Sequence, residues 1–165
     1  MSIFTSKIIR SAVLGTALIG FGSAGAMAAT STSTFQVTAN VQATCQISAT
    51  NLNFGNYSGV ELTNTSTITV NCTQNQGYDI GLNGGSSNLP VTGRKMTGPG
   101  GTVLAYGLYS DTNRTTNWGN TVGSDAVHGN GSGGNQTLTV YGKLPANQLV
   151  TPGAYSDTIT ATITY

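Results

Sequence analysis

Charge is scarce in this 165-residue chain: only 7% of its residues are Asp, Glu, Lys or Arg, six cations against five carboxylates. A nucleic-acid partner requires a basic footprint to neutralise phosphates, so that class is excluded. Histidine occurs once, at His128, and cysteine twice, at Cys45 and Cys72. These three ligands cannot fill a tetrahedral structural zinc site on their own, and no metal or other cofactor is expected. Long apolar runs are missing too. Nothing reaches the roughly 20 residues that a membrane-spanning helix needs, so the chain is not expected to be membrane-embedded. No stretch sustains a helical period, and the recurring alternation has a period of two.

The first residues are read as a targeting segment and set aside. Lys7 and Arg10 form a basic region, residues 11–21 are apolar or small, and Ala26-Met27-Ala28 supplies a small-residue cleavage pattern. That is a secretory signal peptide over residues 1–28. The remainder, about 137 residues, suits one domain with one core. It carries Arg94, Lys95, Arg114 and Lys143 against Glu61, Asp79, Asp111, Asp125 and Asp157, a net charge of roughly −1. Little repulsion therefore opposes self-association. In an exported chain, Cys45 and Cys72 are expected to form one disulfide.

Strand candidates recur along the chain. Ile68, Val70 and Cys72 alternate with polar residues, as do Tyr78, Ile80 and Leu82, then Leu104, Tyr106 and Leu108, then Leu138 and Val140, reaching Leu144. Between them lie turn compositions such as Asn83-Gly84-Gly85, Gly98-Pro99-Gly100-Gly101 and the Gly-rich stretch 129–134. About seven such strands indicate an all-β, antiparallel sandwich of immunoglobulin-like size. Cys45 and Cys72 both fall on apolar faces, so both sulfurs can point into one core.

The two ends share a property. At the front, Phe35, Val37, Ala39, Val41, Ala43, Cys45 and Ile47 alternate with polar residues; at the back, Ile159, Ala161, Ile163 and Tyr165 alternate with threonines. Both read as strands with one greasy face and no evident partner, which favours polymerisation or aggregation. The front run would span roughly 40 Å, about twice an ordinary strand. Residues 41–47 are therefore expected to open the domain's own sheet, leaving residues 32–40 as a projecting arm.

Several motifs resemble a known family. Leu52-Asn53-Phe54-Gly55-Asn56-Tyr57 after Cys45, Ile68-Thr69-Val70-Asn71-Cys72, and Tyr106-Gly107-Leu108-Tyr109-Ser110-Asp111 leading to Arg114-Thr115-Thr116-Asn117-Trp118-Gly119 are similar to the spore coat protein U domain. The run from Pro152-Gly153-Ala154-Tyr155-Ser156-Asp157 to Tyr165 extends the likeness. The resemblance implies a pilin of an archaic chaperone-usher pilus, a surface fibre for adhesion and biofilm formation. It also implies an incomplete immunoglobulin-like sandwich whose last strand is supplied in trans by another subunit. On that basis residues 29–40 are a donor-strand arm and residues 41–165 the pilin domain. Phe35, Val37, Ala39 and Val41 would be the donor residues, and Ile159, Ala161, Ile163 and Tyr165 the acceptor and chaperone-binding edge. The implied partners are neighbouring pilin subunits, a periplasmic chaperone and an outer-membrane usher. One departure concerns the chain's end, where Tyr165 is last instead of a penultimate aromatic.

No catalytic constellation accompanies these features. His128 sits beside a Gly-rich stretch without ligand spacing and reads as a solvated loop histidine. Asp111, Asp125 and Asp157 read as turn caps, not as an acid–base pair. Trp118, with Tyr106 and Tyr109, reads as a packed aromatic and not as a sugar platform. The alternatives to a pilin are a secreted monomeric surface- or carbohydrate-binding sandwich and a coat protein.

Overall fold

The structure, a computed structural model, describes residues 25 and 27–165. Lys7, Arg10, residues 11–21 and Ala26 of the expected signal peptide lie outside the described residues. Two units divide between Ala39 and Asn40. In the first, residues 27–39 form neither helix nor strand, and Phe35 and Val37 are 87% and 84% exposed.

The second unit is built from antiparallel strands: β1 (Cys45–Ala49), β2 (Leu62–Cys72), β3 (Gly77–Leu82), β4 (Lys95–Thr97), β5 (Val103–Ala105), β6 (Gly107–Tyr109), β7 (Val127–Asn130), β8 (Asn135–Leu144) and β9 (Ala161–Thr164). One sheet has the order β1-β2-β8-β6 and a second the order β7-β3-β9, while β4 and β5 form a hairpin of their own. Period-2 burial explains the pairing of layers. Ile68, Val70 and Cys72 of β2 and Val140 and Leu144 of β8 face Tyr78, Ile80 and Leu82 of β3, and all are buried. Each buried aliphatic side chain of this kind stabilises the fold by roughly 1.5–3 kcal/mol.

Register is fixed at the root of the first sheet, where Cys45 stands directly opposite Cys72, with Cα atoms 4.1 Å apart and a disulfide between them. The turn after β7 requires glycine at Gly131, because a Cβ there would run into the Thr73 carbonyl and the Cys72 side chain.

Three expectations need correction. The first strand begins at Cys45, not Val41, because β2 ends at Cys72 and offers no ladder beyond it. Only Thr44 continues the contact, its carbonyl accepting from the Thr73 N–H at 2.9 Å; Val41 is 83% exposed. The Leu104-Tyr106-Leu108 set is two strands, since the chain changes partner at Tyr106, from β4 to β8. The last strand covers Ala161–Thr164 rather than the whole run from Ile159 to Tyr165, because β3 ends at Leu82 and the Asn83-Gly84-Gly85 turn leads its ladder away.

Candidate functional site

An immunoglobulin-like sandwich has two seams where sheet edges meet. At one of them Trp118, 1% exposed, joins the layers. Its backbone N–H donates to the Leu108 carbonyl of β6 at 2.9 Å and its indole N–H to the Ile80 carbonyl of β3 at 2.8 Å. The preceding loop is shaped by Asp111, whose carboxylate accepts from the Thr115 and Thr116 N–H groups. The Thr116 bond is the largest of the effects that hold this carboxyl below its usual range. The Tyr-Ser-Asp and Trp-Gly segments therefore build a closed seam, and Trp118 is too deeply buried to serve as a surface platform.

The other seam is open. Here β1 and β9 are the sheet edges, and they approach one another. Beyond them the chain on both sides leaves the regular ladders, and the two segments flank a groove of about 1480 Å³. One rail is residues 51–58. Leu52, Phe54 and Tyr57 are half-buried and line the groove, yet among the described residues no backbone–backbone hydrogen bond is made from 51 to 58. Leu52 and Phe54 fit there because Gly142 of β8 has no side chain: a Cβ would come within 2.6 Å of Leu52 Cδ1 and 2.9 Å of Phe54 Cζ.

The second rail is residues 155–161, running into β9. Tyr155, Asp157, Ile159, Ala161 and Ile163 are half-buried and alternate with exposed even-numbered residues. The even residues use their backbone toward the sheet. Ser156 exchanges bonds with Thr97, the Thr160 carbonyl accepts from Asn83 N–H at 3.1 Å, and the Thr160 N–H donates to Asn83 Oδ1 at 2.9 Å. Strand geometry then turns the backbone groups of Asp157, Ile159 and Ala161 to the opposite, unpaired edge. The groove floor is apolar, made by Ile68, Leu82, Leu104, Leu108, Val140 and Leu144.

One end of the groove is fastened. Tyr57 Oη donates to the Pro145 carbonyl at 2.8 Å and accepts from the Gln148 N–H at 2.9 Å. The Gln148 amide pairs with both backbone groups of Ala105, at 2.7 and 2.9 Å, standing in for a strand on the free edge of β5.

A charged station stands in the wall of the groove. Tyr106 Oη donates to Asp157 Oδ2 at 2.6 Å, and the Ser86 N–H donates to Asp157 Oδ1 at 2.8 Å. Burial alone would raise the Asp157 pKa, but the bonds from Tyr106, Ser86 and Thr158 outweigh it and hold the carboxyl below its usual range. Burial, then the bond to Asp157, pushes the Tyr106 phenol far up, so it stays protonated. Behind them Arg94 is fully buried, its guanidinium donating to the carbonyls of Leu82, Asn83 and Trp118. Desolvation lowers its pKa.

Of the residues singled out by sequence, Ile159 and Ala161 lie on the groove rail, Ile163 follows half-buried in β9, and Tyr165 is 57% exposed. His128 lies on edge strand β7 and not in a loop, because it pairs with Asp79 of β3; its ring is exposed and 3.3 Å from Asp79 Oδ1. Asp125 accepts from the Thr121 N–H at 2.7 Å, as a turn residue does. Leu52, Phe54, Tyr57 and Gln148 were not anticipated as site residues; the alternation Leu52-x-Phe54 was the available signal.

Comparison with known proteins follows the same lines. The family model for the Spore Coat Protein U domain matches residues 31–162. Protein U of Myxococcus xanthus is 36% identical over 158 residues, covering 85% of this chain and 88% of that protein. Among solved structures, the chain is similar to one in the CsuC-CsuE chaperone–tip adhesion subunit pre-assembly complex from archaic chaperone-usher Csu pili of Acinetobacter baumannii. The TM-score is 0.58 at 23% identity, covering 76% of this chain and 40% of that one. The Escherichia coli Hda pilus minor tip subunit HdaB aligns at a TM-score of 0.40 and 18% identity, over 71% of this chain and 80% of that one. An all-β sandwich with an unfilled seam, a disulfide at its root and a family match over most of its length lead to one assignment: the chain belongs to the Spore Coat Protein U domain family.

Proposed function

We propose that the chain is a non-catalytic structural subunit of an extracellular pilus, exported through the periplasm and assembled by a chaperone and an outer-membrane usher through donor-strand complementation. The observation that carries this reading is the groove between residues 51–58 and 155–161, a slot with an apolar floor and no strand ladder closing it on either side. Such a slot is shaped for an extended strand with one apolar face, the mode of strand addition. The arm, residues 29–40, has that face in Phe35, Val37 and Ala39, continued by Val41, and a short connection to β1 favours pairing with a neighbour over folding back. Burial of Phe35, Val37 and Val41 would contribute on the order of 1.5–3 kcal/mol each before the cost of ordering the strand. Subunits joined in this way form a fibre without a chemical energy source, and the fibre supports adhesion and biofilm formation.

The test compares the exported full-length chain with a variant starting at Val41. The full chain is expected to give heat-resistant ladders on gels and fibres by microscopy, and the truncated chain neither. A full-length chain that stays monomeric and folded with no chaperone bound sinks the reading.

A further inference from the structure

The groove is not uniformly apolar. Four rail positions turn inward along its length, Tyr155, Asp157, Ile159 and Ala161, and the arm offers four alternating residues, Phe35, Val37, Ala39 and Val41. Beyond Ala161 the seam narrows where β1 approaches β9, so a four-residue match leaves two polarities and little room to slide. Run parallel to the rail, the arm sets Phe35 against Tyr155 and Val37 against the Asp157 carboxylate. Two large rings would then compete for one place, and a branched apolar side chain would cover an ionised group. Run antiparallel, it sets Val41 against Tyr155, Ala39 against Asp157, Val37 against Ile159 and Phe35 against Ala161. The largest arm residue then meets the smallest rail residue, and the smallest arm residue meets the carboxylate.

We infer that Asp157, held by Tyr106, is the register-setting station of the groove: it admits only a small donor residue, Ala39 of a second copy of this chain, and thereby selects the antiparallel alignment. The inference rests on the proposed strand donation and adds its residue-by-residue register. Three features support it. Among the described residues Asp157 is the one carboxylate lining the groove, and its oxygens already accept from Tyr106, Ser86 and Thr158, so it cannot turn away to make room for a bulky side chain. Gly85 packs directly against it, where any side chain would collide with the carboxylate. The antiparallel alignment also brings the next subunit's body to the Tyr155 end, because Cys45 opens β1 soon after the arm. At that end Leu149 lies beside the groove and is 98% exposed.

The test uses full-length chains, expressed with their assembly partners, that carry two added cysteines. Directly paired residues come close enough for a disulfide. Phe35→Cys with Ala161→Cys is expected to give fibres whose ladder survives boiling and collapses with reductant. Val41→Cys with Ala161→Cys, the parallel pairing, is expected not to, since Phe35 and Val41 are roughly 20 Å apart in an extended arm. Neither change should impair folding of the subunit body, because the arm positions are exposed and Ala161→Cys is a small enlargement. A ladder from the second pair, or fibres in which neither pair is cross-linked, overturns the register. Wild-type chains that form no fibre would instead remove the donation reading itself. Independently, Ala39→Phe should lower fibre yield about tenfold or more through overpacking at Asp157, a far larger loss than Ala39→Ser causes. Equal yields from the two also overturn the inference.

Discussion

Tyr106 and Asp157 share a 2.6 Å hydrogen bond on the wall of the open seam, and this joins a buried phenol to a carboxylate that stays charged. Because folding lowers the Asp157 pKa, the stability it lends is present above the unfolded value of about 3.9 and is lost as pH falls through the lower folded value. Tyr106 behaves in the opposite sense. Its raised pKa contributes stability that is complete below about pH 10 and declines as pH rises further. Melting temperature against pH should therefore show a plateau with both limbs. Asp157→Asn should flatten part of the acid limb, the remainder belonging to Asp111, whose pKa is also lowered. An unchanged acid limb in that variant contradicts the assignment.

The Cys45–Cys72 bridge closes a loop of sequence separation 27. Replacing both cysteines by alanine should lower stability by roughly 3–4 kcal/mol in the chain-entropy view. Thermal unfolding should shift on the order of 10 °C. Denaturant titration of the two proteins under oxidising conditions measures the difference, and a loss below about 1 kcal/mol would show that β1 holds its place on ladder bonds alone.

Phe35→Asp combined with Val37→Asp separates folding from assembly. Both residues are exposed in the subunit, so its unfolding free energy should change by no more than about 0.5 kcal/mol. Fibres should be absent all the same, since two carboxylates would have to enter an apolar groove. Fibres that form normally would show that the arm is not the donor.

Much of this architecture was legible in the sequence because burial in a sheet leaves a period-2 trace. Ile68-Val70-Cys72 and Tyr78-Ile80-Leu82 proved to be facing core strands, and the two cysteines on apolar faces proved to be opposite one another. Strand ends were less legible. Where β1 starts depends on where β2 runs out, and where the last strand becomes regular depends on a turn some eighty residues earlier, at Asn83. The alternation through Tyr155, Asp157 and Ile159 was visible, but a rail with one paired and one unpaired edge looks the same in sequence as a complete strand. The Gln148 amide that imitates a strand on Ala105 leaves no periodic trace, and neither does Arg94, whose burial depends on three carbonyls drawn from separate parts of the chain.

Gly142 offers a way to close the groove from beneath without touching the arm. It lies in β8, and its missing side chain is the space into which Leu52 and Phe54 settle. Gly142→Val would set new carbon atoms within contact distance of both, and the rail 51–58 has no backbone ladder to hold it in place. The rail should therefore give way before β8 does, because β8 is paired on both sides, to β2 and β6. Overpacking of this kind costs roughly 1–3 kcal/mol, a loss the calorimeter should record as a lower melting temperature with the fold retained. The displaced Phe54 would also lose its edge-to-face contact with Tyr106, now 6.4 Å between ring centres, and disturb the wall that carries Asp157. Mixed with wild-type subunits, the variant should still donate its own arm but accept one poorly, ending fibres at the subunit where it enters. Shorter fibres with a constant number of ends per added variant would match this expectation. Unchanged length at equal incorporation would show that Leu52 and Phe54 are not part of the strand-accepting surface.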